Sequence, residues 1–159
     1  MQVHQVMASE FQACLEDANL DRAAAILWEH DYGAVPVLDP EGRLVGILSE
    51  RAVLGAAATQ PLPLWDLPLQ KYLIRDVEAC HAGDDLLRAL TLMTKQRVRR
   101  LPVIDDEGFV TGVVGVGDIL AQAQPGGALT DRDVIRVLQD RIHAQKLPAG
   151  AVLCGWEHQ

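Results

Sequence analysis

Ala34-Val35-Pro36-Val37-Leu38-Asp39-Pro40-Glu41-Gly42, followed by Gly46-Ile47-Leu48-Ser49, has a partner later in the chain. The second copy is Arg100-Leu101-Pro102-Val103-Ile104-Asp105-Asp106-Glu107-Gly108, followed by Gly112-Val113-Val114-Gly115. Pro102, Gly108 and Gly112 each stand 66 positions after Pro36, Gly42 and Gly46. Over the 48 positions from Met7 to Leu54, twelve are identical to the residue 66 places on, Cys14/Cys80, Leu20/Leu86 and Ala23/Ala89 among them. A fixed offset over so long a stretch is the mark of an internal repeat, and a repeat dictates architecture before any local propensity does.

Each copy has the same local chemistry. Asn19 and Asp85 stand at helix N-cap positions, where a side-chain oxygen can accept from free first-turn amides. Leu20, Ala23, Ala24 and Leu27, and then Leu86, Ala89, Leu90 and Met93, recur at helical spacing. The first helix is expected to fade between His30 and Gly33, glycine suiting the exit. A short apolar strand follows, then an acidic turn in which Asp bonds nearby backbone and Gly tolerates positive φ. A return strand and a second helix complete a β-α-β-β-α unit, with a strand expected at the start of each copy, within 6–14 and 71–80. The chain therefore divides into a first repeat (1–58), a connection (59–70), a second repeat (71–124) and a tail (125–159). Pro61, Pro63 and Pro68 bar a helix from the connection, and its apolar residues around Trp65 are expected to pack on the units. In the tail, Thr130 to Asp133 has the T-x-x-D form of a helix start, with Val134, Ile135, Val137, Leu138 and Ile142 as a stripe. Residues 147–156 are apolar enough for a final strand.

Composition excludes several classes. The net charge of −8 disfavours non-specific binding to nucleic acid. Three cysteines without close spacing give no disulfide framework. No apolar run approaches the roughly 18–20 residues of a membrane span, and the N-terminus has no basic-then-apolar leader, so a soluble cytoplasmic protein is expected. His4, His30, His81, His143 and His158 are scattered, with no ligand spacing for a metal. Gly112, Gly115 and Gly117 run in the order G-x-x-G-x-G, which is not the dinucleotide fingerprint. No nucleophile–base arrangement marks an enzyme.

The doubled unit, with Val35-Pro36-Val37 and Leu101-Pro102-Val103 each leading into an acidic turn ending in Gly, resembles the cystathionine-β-synthase-type (CBS) domain over about residues 3–122. The resemblance implies an α+β fold of two CBS repeats related by a pseudo-two-fold axis, here with an added C-terminal helix. It also implies a regulatory module that is not an enzyme. Such a module binds an adenosine-containing ligand (AMP, ADP, ATP or S-adenosylmethionine) between the repeats and acts on a separate regulated protein. A homodimer is expected, partly by family and partly because the two helical stripes exceed what one pair can cover. The alternative is a dimerising module that has lost its nucleotide.

In the family the motif ends Gly-apolar-x-Ser/Thr-x-x-Asp, where Asp holds the ribose hydroxyls and Ser/Thr sits by the phosphate. The first copy keeps Ser49 but has Ala52 for the Asp. The second keeps Asp118 but has Gly115 for the hydroxyl, leaving the amides of Gly115 and Gly117 to meet a phosphate. The Asp118 cleft is the preferred site. Val35, Pro36, Leu101 and Pro102, on strands that line the cleft in the family, and Ala79 join it as candidates. His81 is a further candidate, with an exposed loop position as its ordinary alternative. Arg99 and Arg100 end a basic run in an acidic chain. Alternating faces of a strand would aim at most one of them inward, as a phosphate clamp. The other reading is a solvated helix end. No cofactor is expected beyond the regulatory nucleotide, and no metal.

Overall fold

A computed structural model describes residues 1–123 and 129–144. The first repeat runs β1 (Cys14–Leu15), α1 (Leu20–His30), β2 (Ala34–Leu38), β3 (Leu44–Ser49) and α2 (Glu50–Thr59). The second runs β4 (Cys80–His81), α3 (Leu86–Gln96), β5 (Arg100–Ile104), β6 (Val110–Gly115) and α4 (Val116–Leu120), and α5 (Asp131–Ala144) follows. Each repeat is an α+β unit with one three-stranded sheet, β1-β2-β3 or β4-β5-β6, whose first pair is parallel and second antiparallel.

Equivalent residues do equivalent work. Asp39 Oδ1 accepts from the amides of Glu41 and Arg43, and Asp105 Oδ1 from those of Glu107 and Phe109. The turns then close on Gly42 (φ 98°) and Gly108 (φ 88°), a region that carries a Cβ penalty for other residues. The helices α1 and α3 both end on a left-handed residue, Asp31 (φ 49°) and Arg97 (φ 57°). The first helix thus exits on Asp31, with Gly33 (φ 71°) two residues further on.

The expected opening strands are shorter and stranger than the sequence implied. Cys14–Leu15 and Cys80–His81 are only two residues long. Upstream, Ala8 crosses to the second sheet and exchanges two backbone hydrogen bonds of 2.9 Å with Val113. Ile74 crosses to the first sheet and does the same with Ile47, at 2.9 and 3.0 Å. These pairings map onto each other by the 66-residue offset, and so do Gln2–Asp85 and Pro68–Asn19. Arg43 and Phe109, themselves equivalent, bridge each other where the pseudo-two-fold axis leaves the molecule, the guanidinium 4.6 Å from the ring centroid.

Gly46 and Gly112 explain themselves here. A Cβ on Gly46 would lie 2.6 Å from the Ile74 carbonyl oxygen, and one on Gly112 2.7 Å from that of Ala8. The crossing segments can seat only against bare backbone.

Two apolar clusters form the core. One holds Leu20, Ala23, Leu27, Val35, Val37 and Leu48, and the other Leu86, Ala89, Leu90, Met93, Leu101 and Val114. Cys14 and Cys80 belong to these clusters, and burial pushes their thiols up to about 11 and about 12, so neither is a thiolate at neutral pH. Most of the two helical stripes is thus consumed within the chain, with Ala24 only partly buried. Other large apolar residues of repeat one are exposed, Trp28 (89%), Leu54 (65%) and Leu15 (54%) among them.

Several expectations need correction. Asn19 stands at the N-cap of α1, but its side chain donates to the Trp65 carbonyl at 2.6 Å and caps nothing. Asp85 does cap, accepting from Leu87 N. The connection packs through Leu67 and Leu69, whereas Leu62 and Trp65 stay exposed. The last helix of the second repeat stops at Leu120, short of 124. The T-x-x-D start of α5 forms as expected. Asp133 accepts from the hydroxyl and amide of Thr130, which hold its carboxyl below the usual aspartate range. Leu129, Val134 and Val137 dock α5 on the second core. The expected strand in 147–156, His158 and Cys154 lie outside the described residues.

Candidate functional site

A cleft of about 250 Å³ opens where β6 passes into α4, lined by Asp31, Arg99, Arg100, Gly115, Val116, Gly117 and Asp118. Gly115 has extended backbone and stands at the N-cap of α4. Its equivalent, Ser49, caps α2 by accepting from Ala52 N at 3.2 Å. Glycine has no such oxygen, and Asp118 reverses the arrangement: its Oδ2 accepts from Gly115 N at 2.8 Å. The Gly115 amide is therefore already engaged rather than bare for a phosphate. Oδ1 of Asp118 has no protein donor among the described residues, and the Asp118 side chain remains partly open to solvent. The Val116 amide donates to Arg99 O, just as Glu50 N donates to Gly33 O in the first repeat. This ties the base of each second helix to the residue before the inner strand.

Both arginines line the cleft, against the expectation from strand alternation. The reason is local: β5 begins at Arg100, so Arg99 precedes the strand and is not bound by its period. Each is held by the first repeat. The Arg99 guanidinium donates to Asp31 Oδ1 at 3.2 Å and lies against Gly33, where a Cβ would stand 3.1 Å from it. Arg100 stacks 4.8 Å from the ring centroid of Tyr32, whose hydroxyl accepts from Gln12 N.

The remaining candidates do not line this cleft. Val35 and Leu101 are fully buried in the cores. Pro36 and Pro102 face a narrow gap on the axis between the sheets, with Ala34, Ile47, Arg100 and Val113. Ser49 holds the symmetry-related position at the start of α2. Ala79 sits half-buried just before β4, and His81 is exposed on that strand. Asp31 and Tyr32 escaped the sequence reading because they belong to the other repeat, at the end of a helix. Their only signal was the reversal of charge between Asp31 and its equivalent, Arg97.

Two repeats exchanging edge segments around a pseudo-two-fold axis, with an acidic residue at the mouth of a cleft beside it, define a tandem α+β pair. The chain belongs to the CBS domain family, whose model matches residues 3–59 and 69–124. An uncharacterized 17.7 kDa protein of Acidianus ambivalens is 29% identical over 152 residues, 96% of this chain and 85% of that one. The CBS domain pair of protein MJ0100, solved in complex with 5′-methylthioadenosine and S-adenosyl-L-methionine, superposes with a TM-score of 0.67 at 24% identity. It covers 76% of this chain and 94% of that one. CBSX2 in complex with AMP superposes with a TM-score of 0.65 at 21% identity, over 76% and 93% of the two chains.

Proposed function

We propose that this CBS pair is a non-enzymatic regulatory module that binds an adenosine-containing ligand in the Asp118 cleft. The observation that carries the reading is the juxtaposition of Asp118 with Arg99 and Arg100. A carboxylate with a free oxygen accepts from ribose hydroxyls, and paired guanidiniums meet phosphate. Asp118 occupies the position that the family motif gives to the ribose-binding Asp. The solved pairs with 5′-methylthioadenosine and S-adenosyl-L-methionine, and with AMP, share this fold and support the choice of ligand class. Ligand that prefers one packing of the repeats biases the module toward it, and a separate protein reads that change.

Melting curves recorded against AMP, ATP and S-adenosylmethionine test the reading. A ligand at 100 times its Kd adds about 2.7 kcal/mol of stability, which raises Tm by roughly 5–11 °C in a domain of this size. A flat response to all three returns the chain to the alternative, a dimerising module without nucleotide.

The homodimer is part of the same proposal. The support is the outer face of α1 and α2, where Trp28, Leu54, Ala57 and Leu64, with Glu50 as the one charged lining residue, border a mostly apolar groove of about 210 Å³. On the second repeat α5 packs against the equivalent helix, α3. Sedimentation velocity is expected to show a dimer for the parent and a monomer for Trp28→Glu. A parent that sediments as a monomer at all concentrations removes the dimer.

A further inference from the structure

We propose that Asp31 is a specificity-determining residue of the Asp118 cleft. Its carboxylate holds Arg99 as an internal stand-in for a ligand phosphate, so the cleft discriminates against ligands of high negative charge. This assignment rests on the adenosine-ligand reading above and extends it to the number of phosphates.

The charges that line the cleft are Arg99 and Arg100 against Asp31 and Asp118, which cancel. Asp118 is committed to its own repeat through Gly115. Asp31 is different. It comes from the opposite repeat, its side chain is 85% exposed, and its one partner among the described residues is Arg99 at 3.2 Å. An exposed pair of this kind contributes little to stability, because water screens it and both side chains pay entropy to meet. A phosphate oxygen arriving at Arg99 would displace the Asp31 carboxylate or sit beside it, and either arrangement costs more as the ligand's charge grows.

The backbone does not demand an acid at this position. Asp31 and Arg97 occupy the same left-handed exit from equivalent helices, one acidic and one basic. The left-handed turn therefore tolerates either charge, and the acid in the first repeat has its effect on the cleft. Asparagine also accepts left-handed backbone readily, so Asp31→Asn removes the charge and leaves the turn intact. The contact of Arg99 with Gly33 does not involve the Asp31 carboxylate, so it is expected to persist in that variant.

The experiment compares the parent and Asp31→Asn by calorimetric titration with adenosine, AMP and ATP at one fixed salt concentration, with chelator present so that ATP keeps its full charge. Affinity of the variant is expected to rise about fivefold for AMP and about twentyfold for ATP, and to stay within about twofold for neutral adenosine. Measured in the Arg99→Gln background, the gain from Asp31→Asn is expected to shrink, because Arg99 no longer draws the phosphate to Asp31; a gain as large as in the parent overturns the part assigned to Arg99. Three ligands that bind the parent and respond equally to Asp31→Asn, or not at all, overturn this role of Asp31 and leave the ligand reading standing. The absence of binding by either protein to any of the three overturns both.

Discussion

Gly112→Ala is expected to destabilise the protein by about 2–3 kcal/mol, the cost of forcing a methyl into a filled space. That lowers Tm by roughly 4–12 °C for a domain of this length. The new Cβ would meet the Ala8 carbonyl oxygen at 2.7 Å and Met7 Sδ at 3.2 Å. The sulfur can swing away. The carbonyl cannot, because Ala8 is held by a hydrogen bond at each of its backbone polar groups to Val113. Either the crossing segment lifts off β6 and forfeits those bonds, or β6 bends. Gly46→Ala, with its Cβ 2.6 Å from Ile74 O, is expected to behave alike. Gly55→Ala is the control: nothing lies within 4 Å of it and it sits inside α2, so alanine there is expected to stabilise by about 0.5–1 kcal/mol. A Gly112→Ala protein that melts with the parent would show that the crossing segments do not seat as described.

Asp118→Ala is expected to weaken AMP binding by about 100-fold or more. Hydrogen bonds to a charged group contribute about 1.5–3 kcal/mol each, and the ribose offers two hydroxyls. The stabilisation produced by AMP in the parent, about 2.7 kcal/mol at 100 times its Kd, should shrink to about 0.4 kcal/mol or less at the same concentration. The variant also loses the acceptor for Gly115 N, so its stability without ligand is expected to fall by about 1 kcal/mol, the usual value of a lost helix cap. Asp118→Asn separates the two effects, because its amide oxygen can still take the Gly115 amide while its charge is gone. AMP binding that survives Asp118→Ala unchanged would move the ligand elsewhere in the molecule.

Much of the architecture was legible in the residues themselves. Pro36 and Pro102, the Asp-to-Gly turns and the paired glycines carried the repeat, and the repeat carried the fold. The crossing of Ala8 and Ile74 was not legible. A single bridging residue leaves no periodicity, and the only trace of it was Gly46 and Gly112, whose need for a bare backbone becomes visible once the opposing carbonyls are seen. Asp118 was reached through the resemblance, as the residue that stands where the family motif has its Asp. Arg99 was misjudged because one residue decides whether it belongs to β5, and element ends are where pattern reading has least purchase. Asp31 and Tyr32 were silent, since a cleft built from two copies recruits side chains that no contiguous motif can contain.

The traded edges also bear on how this chain comes into being. Each half forms its own three-stranded sheet, but one edge of that sheet is covered by a residue of the other half, Ala8 or Ile74. A solitary copy would present a raw strand edge, and two solitary copies could satisfy each other by swapping the same pieces between molecules. Duplication and fusion of such a gene would convert that reciprocal embrace into a covalent one. It would also let the two halves differ where a single copy could not, as Ser49 differs from Gly115 and Asp31 from Arg97.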